Sequence, residues 1–261
     1  MFPALWTAKT GLDAQQTKMT VISNNLANVA TTGFKRDRAI FEDLIYQNRR
    51  QVGGLADQNN TLPSGLQTGT GVRVVATEKI HTQGNLQRTE NSLDMAVQGN
   101  GYFQISYPDG TIAYTRDGTF QRNAEGEVVT SNGMLLEPAI TIPDNATSIS
   151  IGSDGVVTVS IAGEADATNL GTIQLATFIN PAGLEPIGQN LFRETAASGA
   201  PAVANPGEED TGTLLQGHLE SSNVNTVEEL VGMIETQRAY EMNSKAISKS
   251  DEMLGQLTQR L

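Results

Sequence analysis

The sequence has no cysteine, only two histidines and one tryptophan, and few aromatic residues among its 261 positions. Without thiols, a disulfide framework and a thiolate-bound metal are excluded, while the redox compartment stays open. No apolar run approaches the roughly 20 residues that cross a bilayer. The first 20 residues also lack a basic region followed by an apolar core, so we expect no cleaved secretory signal.

Basic residues are scarce, and their distribution argues against nucleic-acid binding. The net charge is −12, and residues 51–220 carry nineteen acidic residues against six basic ones. A nucleic-acid-binding domain shows the reverse, with lysine and arginine clustered on its folded part. The acidic middle region therefore predicts a solvated surface and no nucleic-acid partner.

Sequence motifs of catalysis and cofactor binding are also absent. His81 and His218 lie outside any metal-ligand spacing such as H-E-x-x-H, and neither a phosphate-binding loop nor a nucleophile elbow occurs. Asp-Gly pairs such as Asp109-Gly110 do not continue into the spaced ligands of a calcium loop, so they are interpreted as turns. We predict no enzyme activity, no cofactor or metal and no small-molecule substrate. A catalytic site assembled from distant residues is the alternative that the sequence leaves open.

The C-terminal end contains an apolar heptad pattern. Apolar residues recur at every seventh position from Met233 to Leu261, which is typical of a helix that packs along another helix. Asn225 or Thr226 can cap its start, and Glu229 follows Thr226 at capping-box spacing. The pattern predicts one helix of about 36 residues, roughly 54 Å long. Its seam residues are Met233, Ile234, Tyr240, Ile247, Leu254 and Leu261.

A second heptad pattern begins at Pro3, a residue suited to a first helical turn. It predicts a helix of about 28 residues that ends at Thr31-Thr32-Gly33, where glycine can take the left-handed position. The two terminal helices most simply cover each other, and docking of each onto the middle region is the alternative. The N-terminal seam residues are Leu5, Leu12, Met19, Ile22 and Leu26.

The middle of the chain divides into a polar segment and a β region. Residues 48–71 are rich in Gln, Asn, Thr and Gly, which indicates a long loop or extended ribbon. Short β-branched and aromatic runs follow, separated by Asp-Gly and Asn-Gly turns that favour antiparallel hairpins. The predicted fold class is α+β, with a mostly antiparallel β domain inserted between two helices paired as a coiled coil. The predicted domains are residues 1–35, 36–80, 81–220 and 221–261.

Two polar motifs inside the helices resemble a known family. Ser23, Asn24, Asn25 and Asn28 precede Thr32-Gly33-Phe34-Lys35 near one end, and Gln237, Arg238 and Asn243 lie near the other. The β segments 94–103 and 114–120 extend the likeness, with Tyr102, Phe103, Tyr114 and Phe120 expected in the core. At these residues the chain resembles the axial proteins of the bacterial flagellum, the rod and hook components.

The resemblance implies a structural subunit of the distal rod, which polymerises into a rigid helical tube and transmits motor torque to the hook. The implied partners are copies of the chain itself, the proximal rod and hook proteins, the surrounding ring proteins that act as a bushing, and the type III export apparatus. The implied location is the flagellar basal body in the periplasm, toward the outer membrane, after export without a cleaved signal. A proximal rod subunit and a non-flagellar coiled-coil adaptor are the alternatives.

The resemblance also implies roles for particular residues. The seam residues would pack subunits together, and the motif residues Ser23, Asn24, Asn25, Asn28, Gln237, Arg238 and Asn243 would make polar contacts between them. The polar segment corresponds to a part of the family that keeps the rod straight and stiff. Its marker residues are Asn48, Gly53, Gly54, Pro63, Gly65, Gly69 and Gly71.

Overall fold

The computed structural model describes residues 3–51, 55–57, 60–61, 64–162, 166–208 and 210–259. Two long helices, α1 (Pro3–Ala27) and α2 (Thr226–Gln259), flank a region of strands that contains one short 3-10 helix at Pro181–Gly183. The strands in chain order are β1 (Asp37–Asp43), β2 (Gln47–Arg50), β3 (Leu55–Asp57), β4 (Asn60–Thr61), β5 (Leu66–Thr68), β6 (Val72–Lys79), β7 (Leu86–Arg88), β8 (Met95–Gln98), β9 (Tyr102–Ser106), β10 (Ile112–Thr115), β11 (Phe120–Arg122), β12 (Val128–Thr130), β13 (Leu136–Glu137), β14 (Ala146–Ile151), β15 (Val156–Ile161), β16 (Thr168–Thr172), β17 (Leu175–Thr177), β18 (Glu185–Gly188), β19 (Leu191–Arg193), β20 (Ala202–Ala204), β21 (Thr213–Gln216) and β22 (His218–Glu220).

These elements form two compact units. Unit 1 consists of residues 1–27, 37–78 and 225–261, and unit 2 consists of residues 28–36 and 79–224. The α+β class predicted from the sequence is confirmed, because terminal helices flank a mostly antiparallel β region. The helices α1 and α2 contact each other within unit 1. Their pairing as a coiled coil stays a prediction.

Local chemistry accounts for the ends of both helices. Ala27 ends α1 three residues before the expected end, because the Thr31 amide donates to the Asn28 carbonyl (3.2 Å) and the chain turns. Gly33 then has a φ of 68°, which glycine adopts without steric cost. At the start of α2, the Asn225 side chain accepts the Val227 amide at 3.1 Å, so Asn225 is the capping residue.

Unit 1 carries a two-stranded ribbon beside its helices. Strand β1 pairs with β6, and β2 pairs antiparallel with β5, so that Asn48 lies opposite Gln67. Gly65 and Gly69 flank β5. Gly71 has a φ of 124°, and a Cβ atom there would collide with the Thr10 hydroxyl of α1. Three marker residues of the predicted rod-specific segment lie outside the described residues: Gly53, Gly54 and Pro63.

The core of unit 2 is a seven-stranded sheet with the order β18-β19-β10-β9-β17-β20, in which β13 also pairs with β9. Phe103 and Phe120 meet edge to face with ring centroids 5.2 Å apart, a favourable aromatic geometry. Tyr102 and Tyr114 belong to a smaller buried cluster with Phe178. The expectation that these four aromatic residues of the family-like segments are buried is therefore confirmed.

The last strands of unit 2 return to its first ones. Strand β21 pairs antiparallel with β8, and β22 pairs antiparallel with β7. Leu214 of β21 is buried in the main core beside Met95 and Val97 of β8. Residues far apart in sequence therefore complete the same unit.

No helix in the described part of the chain combines the length and the apolar character that a membrane span needs. Within the same residues, no group of three or more acidic or histidine side chains is placed to hold a metal ion.

Candidate assembly surface and its buried anchors

Small and polar residues line the contact between the two helices of unit 1. Ala14 of α1 and Thr236 of α2 are buried. At Gly11 a Cβ atom would lie 3.0 Å from the Asn243 amide nitrogen, and at Gly232 it would lie 3.6 Å from Ile22 Cδ1. The distance at Gly11 is tighter than ordinary van der Waals contact, so glycine there permits the close approach of the helices, whereas a methyl group would fit at Gly232. Asn243, a predicted contact between subunits, thus already lies against α1 of its own chain.

The predicted seam residues differ in exposure. Ile22 is buried, whereas Ile234 and Tyr240 are exposed. The side chain of Leu254 and all of Leu261 lie outside the described residues. The roles of the seam residues in packing between subunits stay predictions. The partly buried members are Leu5, Leu12, Met19, Leu26, Met233 and Ile247.

An apolar stripe on the first half of α2 remains exposed to solvent. Val227, Leu230, Val231 and Ile234 have side chains that are 46 to 68% exposed. Their spacing of three, four and seven residues places them on one face of the helix. Apolar residues that cluster at helical spacing and remain solvent-exposed mark a surface that gains free energy when a partner covers it. We refer to these four residues as the α2 stripe.

Asn25 is the buried member of the N-terminal polar motif. Its amide nitrogen donates to the Asp37 carbonyl (2.9 Å) and to Glu229 Oε1 (3.2 Å), and its amide oxygen accepts the Asp37 amide (2.8 Å). One side chain thus joins the end of α1, the start of β1 and the first turn of α2. This interaction lies inside the subunit and accounts for an asparagine at a helical position that its low propensity disfavours.

The other motif residues are more accessible. Asn24 is exposed and donates to Asp37 Oδ2 at 3.3 Å. Asn28 is partly buried and accepts the Thr31 hydroxyl at 3.2 Å. Ser23, Gln237 and Arg238 are exposed on the helices. Their part in contacts between subunits stays a prediction.

A buried ionic cluster lies in unit 2 around Glu220. Lys35 Nζ lies 2.6 Å from Glu220 Oε1, which also accepts the Gly84 amide at 2.7 Å. Arg116 Nη1 lies 3.4 Å from Glu220 Oε2 and Nη2 donates to the Gly99 carbonyl at 2.7 Å. The three charged side chains are at most 4% exposed. Because an unpaired charge is very costly in such a place, each cation depends on this carboxylate.

Asn223 ties the same region together with neutral hydrogen bonds. Its side-chain oxygen accepts the Arg36 amide at 2.8 Å, and its nitrogen donates to the carbonyls of Ile80 (2.7 Å) and Thr82 (3.1 Å). The Gly33 amide also donates to the Glu220 carbonyl at 2.8 Å. The chain that enters unit 2 after α1 therefore lies directly beside the chain that leaves it before α2.

The cluster changes the proton affinity of its neighbours. Burial lowers the pKa of Lys35, and the Arg116 charge lowers it further, while Glu220 opposes both effects. Burial and the nearby cations Lys35, Lys79 and Arg116 lower the pKa of His81 to about 4. His81 is therefore neutral at pH 7, and its Nδ1 lies 2.8 Å from the Tyr102 hydroxyl. Burial raises the pKa of Tyr102 to about 12.

The family-like segments contain the two cations of this cluster, but no sequence motif pointed to Glu220, their partner. Lys35 and Arg116 belong to the two segments that carry the family resemblance, yet no role for them followed from local pattern. Glu220 and Asn223 were missed. The signal at Lys35 and at Arg116 was a charged residue within a segment otherwise rich in glycine and aromatic residues. Glu220 is 185 residues from Lys35 and 104 from Arg116, too far for a local motif to connect them.

Three family models match the chain. Residues 5–35 match "Flagella basal body rod protein", residues 96–159 match "Flagellar hook protein FlgE/F/G D1 domain", and residues 215–260 match "Flagellar basal body rod FlgEFG protein C-terminal". Each matched region contributes one member of the buried ionic cluster, namely Lys35, Arg116 and Glu220.

Similar proteins extend over nearly the whole chain. The "Flagellar basal-body rod protein FlgG" of Buchnera aphidicola subsp. Acyrthosiphon pisum is 57% identical over 99% of this chain and 100% of its own length. The protein of the same name from Caulobacter vibrioides is 50% identical over 96% of both chains. That from Bacillus subtilis is 40% identical over 98% of both.

Replacing Asn25 with alanine tests the anchor in unit 1. Asn25→Ala removes three hydrogen bonds, two to the Asp37 backbone and one to Glu229, so we expect the free energy of unfolding to fall by about 1–3 kcal/mol. The exposed neighbour provides the control, because Asn24→Ala changes a solvent-exposed side chain and should change the free energy of unfolding by less than about 0.5 kcal/mol. Urea unfolding of both variants measures the difference, and equal values would contradict the assignment.

Acid titration tests the environment of His81. Its pKa in the folded chain, about 4, is below the ordinary value of 6.5, so the unfolded chain binds the proton more strongly. The stability that neutral His81 provides is complete above pH 6.5 and is lost as the pH falls toward 4, by about 3 kcal/mol. We expect His81→Gln to remove this part of the pH dependence of urea unfolding, and His218→Gln to retain it. Parallel pH profiles of the wild type and His81→Gln would refute the prediction.

Proposed function

The chain belongs to the family of flagellar basal-body rod and hook proteins, and from this premise we propose that it is a subunit of the distal rod. In this proposal the subunits polymerise through their terminal helices into a rigid helical tube that transmits motor torque to the hook. The family relationship makes the chain a structural component of the flagellar basal body and not an enzyme.

The α2 stripe is the observation that carries the polymerisation proposal. In the isolated subunit, Ala14, Ile22 and Thr236 are buried where α1 packs against α2, while the four apolar side chains of the α2 stripe stay exposed. Burying apolar surface contributes about 25 cal/mol per Å², so covering the stripe favours association. Identical subunits that associate head to tail without closing a ring form a helical filament. The seam and motif residues of both helices would then form coiled-coil and polar contacts with neighbouring subunits.

The assignment to the distal part of the rod rests on two supports. Relatives of this chain over nearly its full length carry the name of the rod protein FlgG. The polar segment at residues 48–71 is the feature that the proximal rod alternative does not explain. The second alternative, an adaptor outside the flagellum, leaves the three family matches unexplained.

The proposed role implies neighbours and a location. Copies of the chain itself would be the main partners, with proximal rod and hook proteins at the two ends of the tube and ring proteins around it as a bushing. The tube would cross the periplasm toward the outer membrane, after export of the subunits by the flagellar type III apparatus. The acidic surface of the β region, which carries most of the net charge, would keep the exported subunit soluble before assembly.

Polar substitutions in the α2 stripe test polymerisation. The double variant Leu230→Asn and Ile234→Asn changes side chains that are about half exposed in the subunit, so it should fold, with a loss of about 1 kcal/mol of stability from the lower helix propensity of Asn. We expect it to lose tube formation at concentrations that polymerise the wild type, as measured by sedimentation and negative-stain microscopy. The control is Ile179→Asn, which removes an equally apolar and 95% exposed side chain from unit 2. Normal tubes from the double variant would contradict the proposal.

Deletion of residues 48–71 tests the distal assignment. Strands β1 and β6 pair with each other and lie on either side of the deleted segment, so unit 1 should still fold. We expect rods that fail to assemble or that lose their straightness, as seen by electron microscopy of basal bodies from complemented cells. A matched control replaces the same segment with a Gly-Ser linker of equal length, which should also fail. Straight rods of normal length from the deletion would refute the distal assignment.

A further inference from the structure

The segment of residues 213–223 completes the early part of unit 2, and we refer to it as the closing segment. Its strands β21 and β22 pair with β8 and β7. Among the described residues, β7 and β8 pair with no other strand. The strand partners of β7 and β8 therefore lie more than a hundred positions later in the chain.

Two buried cations of unit 2 also depend on the closing segment. Lys35 and Arg116 are almost fully buried, and both reach the Glu220 carboxylate of the closing segment. Before Glu220 arrives, enclosing the two cations would leave them without this carboxylate in a dry environment, which is strongly unfavourable. The segments that carry them therefore stay open to water until the closing segment is in place.

Hydrogen bonds of the backbone also join the early residues of unit 2 to the closing segment. The closing segment provides acceptors for the amides of Gly33, Gly84 and Thr89, through Glu220 and Gly217. Asn223 then bonds to the backbone of Arg36, Ile80 and Thr82. These contacts anchor residues 28–36 and 79–89, two segments of unit 2 that lie outside its main sheet.

The strand pairing of the main sheet does not involve the closing segment, although Leu214 packs in the core beside it. The strands of this sheet all lie between residues 102 and 204, and its central pair β9 and β10 is a local hairpin. Local pairings form before pairings that close long loops, because loop closure costs entropy before contacts repay it. The sheet can therefore form while both ends of unit 2 are still open.

We propose that the closing segment is a folding latch: unit 2 closes in a final step, when Glu220 neutralises Lys35 and Arg116. The last latch residue, Asn223, precedes the first residue of α2 by three positions. A chain that emerges from its N-terminus therefore completes unit 2 only as it supplies the start of α2. The latch residues therefore all precede the α2 stripe in the order in which the chain emerges. This inference stands independently of the proposed function, because it concerns the folding of the single chain.

Pulsed hydrogen exchange during refolding of the full chain tests the order of events. The reporters of the sheet are the amides of Ser106 and Tyr107, which donate to Leu135 and Thr111. The reporters of the latch are the amides of Gly33, Gly84 and Thr89. We expect the sheet amides to become protected in an earlier kinetic phase and the latch amides together in a later one. Protection of both sets in a single phase, or of the latch first, would overturn the proposal.

A charge-removing variant tests the role of Glu220. In native-state exchange, Glu220→Gln should accelerate exchange of the Gly33 and Thr89 amides by at least about tenfold, while Ser106 and Tyr107 change little. The control Glu185→Gln breaks an ion pair with Arg193 that is about half exposed and should leave both sets unchanged. Equal acceleration of both sets, or none, would count against the latch. If Glu220→Gln does not fold, the refolding order of the wild-type chain decides alone.

Discussion

The carboxylate of Glu220 is the constraint on which unit 2 depends. It is fully buried and balances two buried cations that come from distant parts of the chain. A buried charge is tolerated only when partners and hydrogen bonds surround it, so the position of each segment is tied to the others. Lys35 follows the first helix, Arg116 follows a strand of the main sheet, and Glu220 precedes the second helix. The charge pairing therefore joins three regions that each match a separate flagellar family model.

Unit 1 depends instead on the close contact between its two helices. Its internal contact uses Gly11, Ala14, Ile22 and Thr236, and Asn25 ties the end of α1 to the first turn of α2. The larger apolar side chains of α2 remain on another face. A subunit built this way holds its own helices in register and keeps its apolar surface for other molecules. This division between internal anchoring and external adhesion is what a polymerising subunit requires.

The sequence predicted the regular elements because their signals are local. The heptad periods predicted both helices, the pair Asn225 and Thr226 marked the start of α2, and the turn residues indicated antiparallel strands. The run of asparagines named Asn24, Asn25 and Asn28 together as contacts between subunits, and it could not indicate that Asn25 bonds to Asp37 and Glu229 of its own chain. A period of seven identifies a helix that packs, but it does not say which neighbour covers which face. Ile234 was therefore assigned to a seam without any sign that it stays exposed in the subunit. Glu220 was not predicted because its partners are more than a hundred residues away in the sequence, which is beyond the span of a local motif.

The central claim is that the isolated subunit is incomplete and assembles with its own copies. Negative-stain electron microscopy of the purified protein over a series of rising concentrations tests this claim most directly. The account predicts a threshold concentration above which straight tubes of uniform width appear. Monomers that persist without tubes at every concentration, while remaining folded by circular dichroism, would contradict it.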